Sequence, residues 1–280
     1  MKNIIKFILK KFAKFFVFIL GKLNAGRYFT DELVSNILAK KKVIKYNELE
    51  LKFYTPNRIN YYRANSFSTK EPETLNWIDT FNKDSVFWDI GANIGLYSCY
   101  AAKKTKGMVY AFEPSVFNLE LLAKNIFLNS ISEKVIIVPF PLNDSLSIKP
   151  FYMSSTDWGG ALSTFGKSMD HEGKAMNGVF QHSTFGISVD NCIEILKFEK
   201  PNYIKIDVDG IEHLILKGAT KTLESTESIL VELNDNFKEQ SKNAEKYLLS
   251  AGFKLNQKKY SKINEKSKYF SSHNNQIWSR

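Results

Sequence analysis

Val86-Phe87-Trp88-Asp89-Ile90-Gly91-Ala92-Asn93-Ile94-Gly95 is the stretch whose reading decides the fold. A short, mostly apolar run carrying Asp89 reads as a buried strand, and Gly91 and Gly95 supply a turn into a helix. Such a turn brings backbone N–H groups close to a nucleotide-like ligand. Working outward, a second apolar run, Met108-Val109-Tyr110-Ala111-Phe112, ends in Glu113, eighteen residues after Gly95. A carboxylate at the tip of the neighbouring parallel strand can accept hydrogen bonds from both ribose hydroxyls, so the two runs together describe an adenosine site. A dinucleotide site would want glycine where Asn93 stands, so that backbone could approach a pyrophosphate. Asp89, two residues before the first glycine, would repel that group. It suits a ligand cationic at this point, such as the sulfonium and amino groups of S-adenosylmethionine.

With these residues the chain resembles the FkbM family of S-adenosylmethionine-dependent methyltransferases. The resemblance runs from about Ser85 to Asn234 and has four landmarks in order. They are Phe87 to Gly95; Phe112-Glu113-Pro114 with Asn118, Leu122 and Asn125; Ile204-Lys205-Ile206-Asp207-Val208-Asp209-Gly210-Ile211-Glu212 with Lys217-Gly218-Ala219; and Ile229-Leu230-Val231-Glu232-Leu233. The family usually has Glu where this chain has Asp209, a change that keeps the charge and shortens its reach. The resemblance implies an α/β, Rossmann-like class I methyltransferase fold, with a mostly parallel sheet and helices on both faces. It also implies a hydroxyl acceptor on a sugar, glycan or related metabolite.

Apolar strands alternate with helical segments from Ser85 onward, which is the pattern of a parallel sheet covered on both faces. The spacing predicts strands at 86–90, 108–112, 135–140, 203–207 and 228–233. Helices fall near 94–105, 115–129, 190–198, 211–223 and 239–251, and Phe253-Lys254-Leu255 with Gln276-Ile277-Trp278 forms a closing antiparallel pair. We divide the chain into a helix over 1–24, an extension over 25–83 and a methyltransferase domain over 84–280. Within the extension, residues 43–67 read as hairpin strands and Glu71 to Phe81 as a helix with Pro72 in its first turn. Residues 154–183, with Trp158-Gly159-Gly160, break the rhythm and read as an irregular insertion that overhangs the site and binds the acceptor.

Composition bounds the partners. The 280 residues are 44% apolar with a formal charge of +10, enough to build a sizeable core and to favour an acidic partner. Cys99 and Cys192 make no disulfide framework, which fits a reducing cytoplasm. Ile5, Ile8, Leu9, Phe12, Phe16, Ile19 and Leu23 recur at helical spacing while Lys2, Lys6, Lys10 and Lys14 line another face. The charge-free run Phe15 to Gly21 is far short of the roughly 20 residues that span a bilayer. A signal peptide would need a cleavage pattern that does not follow before Gly26. The helix is expected to lie on an anionic membrane; packing against its own domain is the alternative.

For the site, Asp89 is expected to orient the amino-acid end of S-adenosylmethionine. Gly91 and Gly95 admit the ligand, Asn93 lines the turn and Glu113 holds the ribose. Asn118 is a further candidate or a helix-start residue. Asp207, Asp209 and Glu212 are the candidate catalytic acids: one takes the acceptor proton, or the group holds Mg²⁺. The other reading has Glu212 capping its helix or pairing with Lys217. His182, His171 and His213 are the alternative bases, His182 foremost. Two other functions compete. An RNA methyltransferase would suit the charge, although the chain lacks the Asn/Asp-Pro-Pro-aromatic tetrapeptide with which amino-methylating enzymes hold a flipped base. The other is a membrane-attached binding protein without turnover.

Overall fold

The computed structural model describes residues 2–176, 178–260 and 272–280. The chain opens with α1 (Lys2–Leu20) and α2 (Asn24–Leu38), which cross so closely that a Cβ on Gly26 would lie 1.9 Å from the Leu20 carbonyl oxygen. The sequence division had not separated α2 from the rest of the extension. The hairpin β1 (Lys41–Tyr46) and β2 (Leu49–Tyr54) follows, then α3 (Arg58–Asn65), α4 (Phe67–Lys70) and α5 (Pro72–Asp79). Leu51, Phe53, Phe67, Leu75 and Ile78 are buried in one cluster with Phe87 and Tyr100. From the hairpin onward the extension is therefore part of the main core.

The core sheet is built from β3 (Phe87–Ile90), α6 (Leu96–Lys104), β4 (Val109–Phe112), α7 (Val116–Leu128) and β5 (Val135–Val138) on one side. A second sheet interrupts, with β6 (Leu142–Asn143), β7 (Ser147–Met153), β8 (Ser163–Phe165) and β9 (Phe180–Ser188) in the order β6-β9-β7-β8. Then come α8 (Val189–Glu194), β10 (Tyr203–Ile206), α9 (Glu212–Lys217), α10 (Thr220–Leu223), β11 (Ser228–Asn234), α11 (Lys238–Ser250), β12 (Lys254–Tyr260) and β13 (His273–Ser279).

The seven core strands lie in the order β12-β13-β11-β10-β3-β4-β5. All neighbours from β11 to β5 are parallel, and β13 runs antiparallel between β11 and β12. This is the Rossmann-like arrangement with the closing antiparallel pair expected from the sequence. Alternation sends Trp88, Ile90, Ile204 and Ile206 to one face against α8, α9 and α11, and Phe87, Val109 and Ala111 to the other against α5, α6 and α7. Both faces are covered, which is why these strands read as near-continuous apolar runs.

The insertion differs from expectation. β8 lies inside it and its last residues begin β9, which pairs antiparallel with β7 just ahead of it from Ser147↔Gly186 to Met153↔Phe180. The irregular part shrinks to the chain between β7 and β8 and between β8 and β9.

Candidate active site

Strand order reverses direction between β3 and β10, and in open α/β sheets ligands sit beyond the carboxyl ends of the strands at such a switch point. A cavity of about 360 Å³ opens there. Its walls include Gly91, Asn93, Glu113, Asn118, Asp207 and Asp209 of the sequence-derived residues. Asp89, Gly95, Glu212 and His182 do not line it, and each has a local reason.

Asp89 points from β3 toward α6, where its Oδ2 accepts from Ser98 Oγ at 2.5 Å. Among the described residues its Oδ1 has no hydrogen-bond partner, and burial raises its pKa against the pull of Lys205. Gly95 has φ +81°, and a Cβ there would meet Leu122 Cδ1 at 2.5 Å, so helix packing demands this glycine. Gly91, at φ +89°, is forced by a different neighbour: a Cβ would lie 1.9 Å from the Asp207 carbonyl oxygen. The β3 turn and the β10 tip are thus pressed together across the switch point. His182 sits on β9 with its ring 5.8 Å from Phe151 and 5.6 Å from Phe180.

Glu113 is 5% exposed and holds the turn. Its Oε2 accepts from Asn93 N–H at 2.8 Å and its Oε1 from Ser115 N–H at 2.7 Å, while burial pushes its pKa up to about 7. Asn93 is left-handed at φ +52°, with its own Oδ1 accepting from Ile94 N–H at 3.0 Å.

Lys205 dominates the opposite wall from below. It is 1% exposed in the middle of β10, its Nζ donates to Asp207 Oδ2 at 2.7 Å, and it lies 5.3 Å from the Tyr97 ring centroid. Register places it beside Asp89 on β3. Burial would raise the pKa of Asp207, but Lys205 and Lys70 beside it hold it well below the usual carboxylate range. Glu232, at the tip of β11, hydrogen-bonds Asp207 and is pushed the other way, by burial and then by the Asp207 charge. The two neighbouring acids are thereby pushed in opposite directions, Asp207 toward its ionised form and Glu232 toward its protonated one. Asp209, left-handed at φ +63°, accepts from Leu162 N–H at 2.7 Å, and burial followed by the Asp207 charge raises its pKa.

Glu212 lies beneath the turn. It is 1% exposed, accepts from Val208 N–H at 3.2 Å and Gly210 N–H at 3.1 Å, and receives a further bond from Gln240. Lys217 pairs with Asp144 instead, at 2.8 Å. Among the described residues the acid trio within 4.8 Å is Asp207, Asp209 and Glu232, not the set with Glu212. Oxygen ligands suit Mg²⁺, but Asp207 already has the Lys205 ammonium 2.7 Å from its Oδ2, a cation that takes the place an ion would fill.

Sequence reasoning missed several wall residues. Arg63, Lys70 and Glu71 reach the cavity from the extension, and His273, Asn274 and Asn275 from β13. Lys205 did carry a signal: a lysine inside an apolar strand is almost never fully buried unless paired. For Arg63 and Lys70 nothing local distinguishes them from solvated charges. His171 lines the cavity 5.0 Å from the His273 ring, whereas His213 is buried beside Phe237.

The Methyltransferase FkbM domain model matches residues 89–255, more than half of the chain. The hexuronic acid methyltransferase AglP of Haloferax volcanii is 32% identical over 163 residues, covering 56% of this chain and 59% of that protein. A methyltransferase FkbM structure from Methylobacillus flagellatus superposes with a TM-score of 0.49 at 14% identity, covering 71% of this chain and 44% of the other. TYW2 of M. jannaschii in complex with AdoMet gives 0.42 at 16% identity, covering 86% of each chain. The chain thus spans less than two thirds of the curated relative and about half of the solved FkbM chain. The matched span contains the β3 turn, Glu113, Lys205, Asp207 and Glu232, and the chain belongs to the FkbM methyltransferase family.

Proposed function

We propose that the chain is an S-adenosylmethionine-dependent methyltransferase that methylates a hydroxyl of a sugar or glycan. The observation that carries this reading is the convergence, on one cavity at the switch point, of a buried acid behind a glycine turn, Glu113, and an acid held ionised at the facing strand tip, Asp207. The likeness to a hexuronic acid methyltransferase supports the sugar class. When bound, S-adenosylmethionine supplies an electrophilic methyl carbon.

The chain's part is placement, because displacement at that carbon needs acceptor oxygen, carbon and sulfur in line. The Gly91 turn, Asn93 and Glu113 take the adenosine end, with Asn118 beside them. Asp207 accepts a hydrogen bond from the acceptor hydroxyl and takes its proton as the new bond forms. So weak a base suffices because the hydroxyl oxygen becomes strongly acidic as it bonds to carbon. Asp207 and Asp209 both line the cavity, but burial favours the protonated form of Asp209 while Lys205 holds Asp207 toward the ionised form, and Glu212 is shut beneath its turn, so Asp207 is the base.

The same proposal sets the chain on the inner face of an anionic membrane through residues 1–24. No helix among the described residues is long and apolar enough to cross one. The support is that Ile8 is 59%, Phe12 65% and Phe15 62% exposed on a lysine-rich helix, where burial at a lipid interface would favour them. Flotation with vesicles containing phosphatidylglycerol should carry the full chain but not one starting at Lys40; equal flotation would remove the membrane from the proposal.

The enzymatic reading is tested by incubating the chain with methyl-labelled S-adenosylmethionine and oligosaccharides containing glucuronate or galacturonate. Alkali-stable label in carbohydrate supports ether formation at a hydroxyl. Alkali-labile label would place the methyl on a carboxylate, and label in RNA alone would overturn the acceptor class.

A further inference from the structure

The turn Trp158-Gly159-Gly160 is bound from three directions. From the extension, Asn57 Nδ2 and Asn60 Nδ2 donate to the Trp158 carbonyl at 2.9 and 3.0 Å, and Arg63 Nε donates to the Gly159 carbonyl at 2.8 Å. From the cofactor side, Asn93 Nδ2 and Asn118 Nδ2 both donate to the Gly160 carbonyl, at 2.7 and 3.1 Å, and Asn118 Oδ1 accepts from Gly159 N–H at 2.9 Å. Two residues on, Leu162 N–H is taken by Asp209. Gly159 stands at φ +80°, and a Cβ there would lie 2.2 Å from Asn60 Oδ1, so turn and helix touch without slack.

Residues 158–162 thus form a strap from the extension, over the Asn93 turn, to the tip of β10. Gly160, Ala161 and Leu162 line the cavity beneath it. The strap leans on two residues of the cofactor site and one candidate acid, and its anchor on the other side is α3, which carries no methyltransferase landmark.

We propose that Asn57, Asn60 and Arg63 are positioning residues for S-adenosylmethionine: they hold the strap across the mouth of the cofactor site, and the ligand leaves only when the strap lifts. The inference rests on the methyltransferase reading above. Arg63 is suited to the task because a planar guanidinium can hold the Gly159 carbonyl through Nε while its terminal nitrogens stay free to turn to other acceptors. Shared hydrogen bonds at Gly160 mean that loosening the α3 side also loosens Asn93 and Asn118, a coupling expected of groups in one network.

The test uses the full chain and S-adenosylhomocysteine, displaced by excess S-adenosylmethionine in a stopped-flow instrument. Arg63→Met keeps the side-chain bulk and removes the Gly159 bond; Gly159→Ala pushes the strap from the opposite side. Ile78→Val, in the extension core but away from the strap, reports what plain loss of stability does. Each strap variant should release the ligand about tenfold faster, equivalent to 1.4 kcal/mol, with Ile78→Val within twofold of the wild type. Unchanged release in both strap variants overturns the inference, as does equal acceleration in all three. Failure of the wild type to bind either ligand would instead overturn the methyltransferase reading and this inference with it.

Discussion

Lys205→Met is the sharpest perturbation the structure offers. Lys205 is 1% exposed and its ammonium sits 2.7 Å from Asp207 Oδ2, with Asp89 next to it across the β3 register. Methionine has similar length and keeps the packing on Tyr97, so the change is almost purely one of charge. Removing one partner of a buried ion pair costs about 3–5 kcal/mol, because the other charge stays desolvated. At roughly 2–4 °C per kcal/mol for chains near this size, the melting temperature should fall by about 6–20 °C.

The loss should depend on pH. In the wild type the folded pKa of Asp207 is depressed, so its stabilisation is present above the unfolded value and is lost only as pH falls through the folded one. Without Lys205 burial prevails and the acid prefers its proton. The gap between wild type and variant should therefore be wider at pH 7 than near pH 4, because the variant's acid regains its proton as pH falls. Urea denaturation at both pH values measures it, and a second variant, Lys205→Met with Asp207→Asn, should recover more than half of the loss because no buried charge is stranded. A single-variant cost under about 1 kcal/mol, or a double variant as poor as the sum of its parts, would refute the argument.

Three further outcomes follow from the same geometry. Glu113→Ala removes the acceptor of two backbone N–H groups and the expected ribose partner, so calorimetry should show S-adenosylmethionine binding weakened by at least about tenfold, or 1.4 kcal/mol. Glu212 has its folded pKa raised to about 7, so its contribution is full below the unfolded value and lost as pH rises through 7. Relative to Glu212→Gln, the wild type should lose about 2–3 kcal/mol between pH 5 and pH 8 in chemical denaturation. Removal of divalent cations with EDTA should leave S-adenosylmethionine affinity unchanged in calorimetry, since lysine already balances Asp207.

Much of the core was legible because its physics is local. A strand buried on both faces must be apolar throughout, and 86–90, 108–112, 203–207 and 228–233 each fell within one or two residues of the observed bounds. The Gly91 turn was legible for a related reason, although its glycine answers to the Asp207 carbonyl as much as to any ligand. The sheet framing 154–183 was not, and Pro150 inside β7 is part of the cause, since proline argues against an interior strand. The structure accommodates it where β8 has already ended: β8 pairs only with 151–153, and the Pro150 carbonyl faces that side to accept from Gly166 N–H. Arg63, Lys70 and His273 were beyond reach because only long-range packing brings them to the cavity. Glu212 was legible as an important acid but not as one shut beneath its turn, because spacing after a strand cannot show which way a carboxylate faces.

The pairing of β3 with β10 sets Phe87 beside Tyr203, 116 residues apart along the chain. A ribosome therefore delivers the glycine turn and Glu113 long before any partner for their open edge. During that interval β4 covers one edge of the strand carrying Phe87 and Trp88, and its other edge stays open and apolar, the kind of surface that sticks to other nascent chains. Slow, non-local closure of this sort favours chaperone dependence, and synthesis at reduced temperature should raise the soluble yield by lengthening the time available before association.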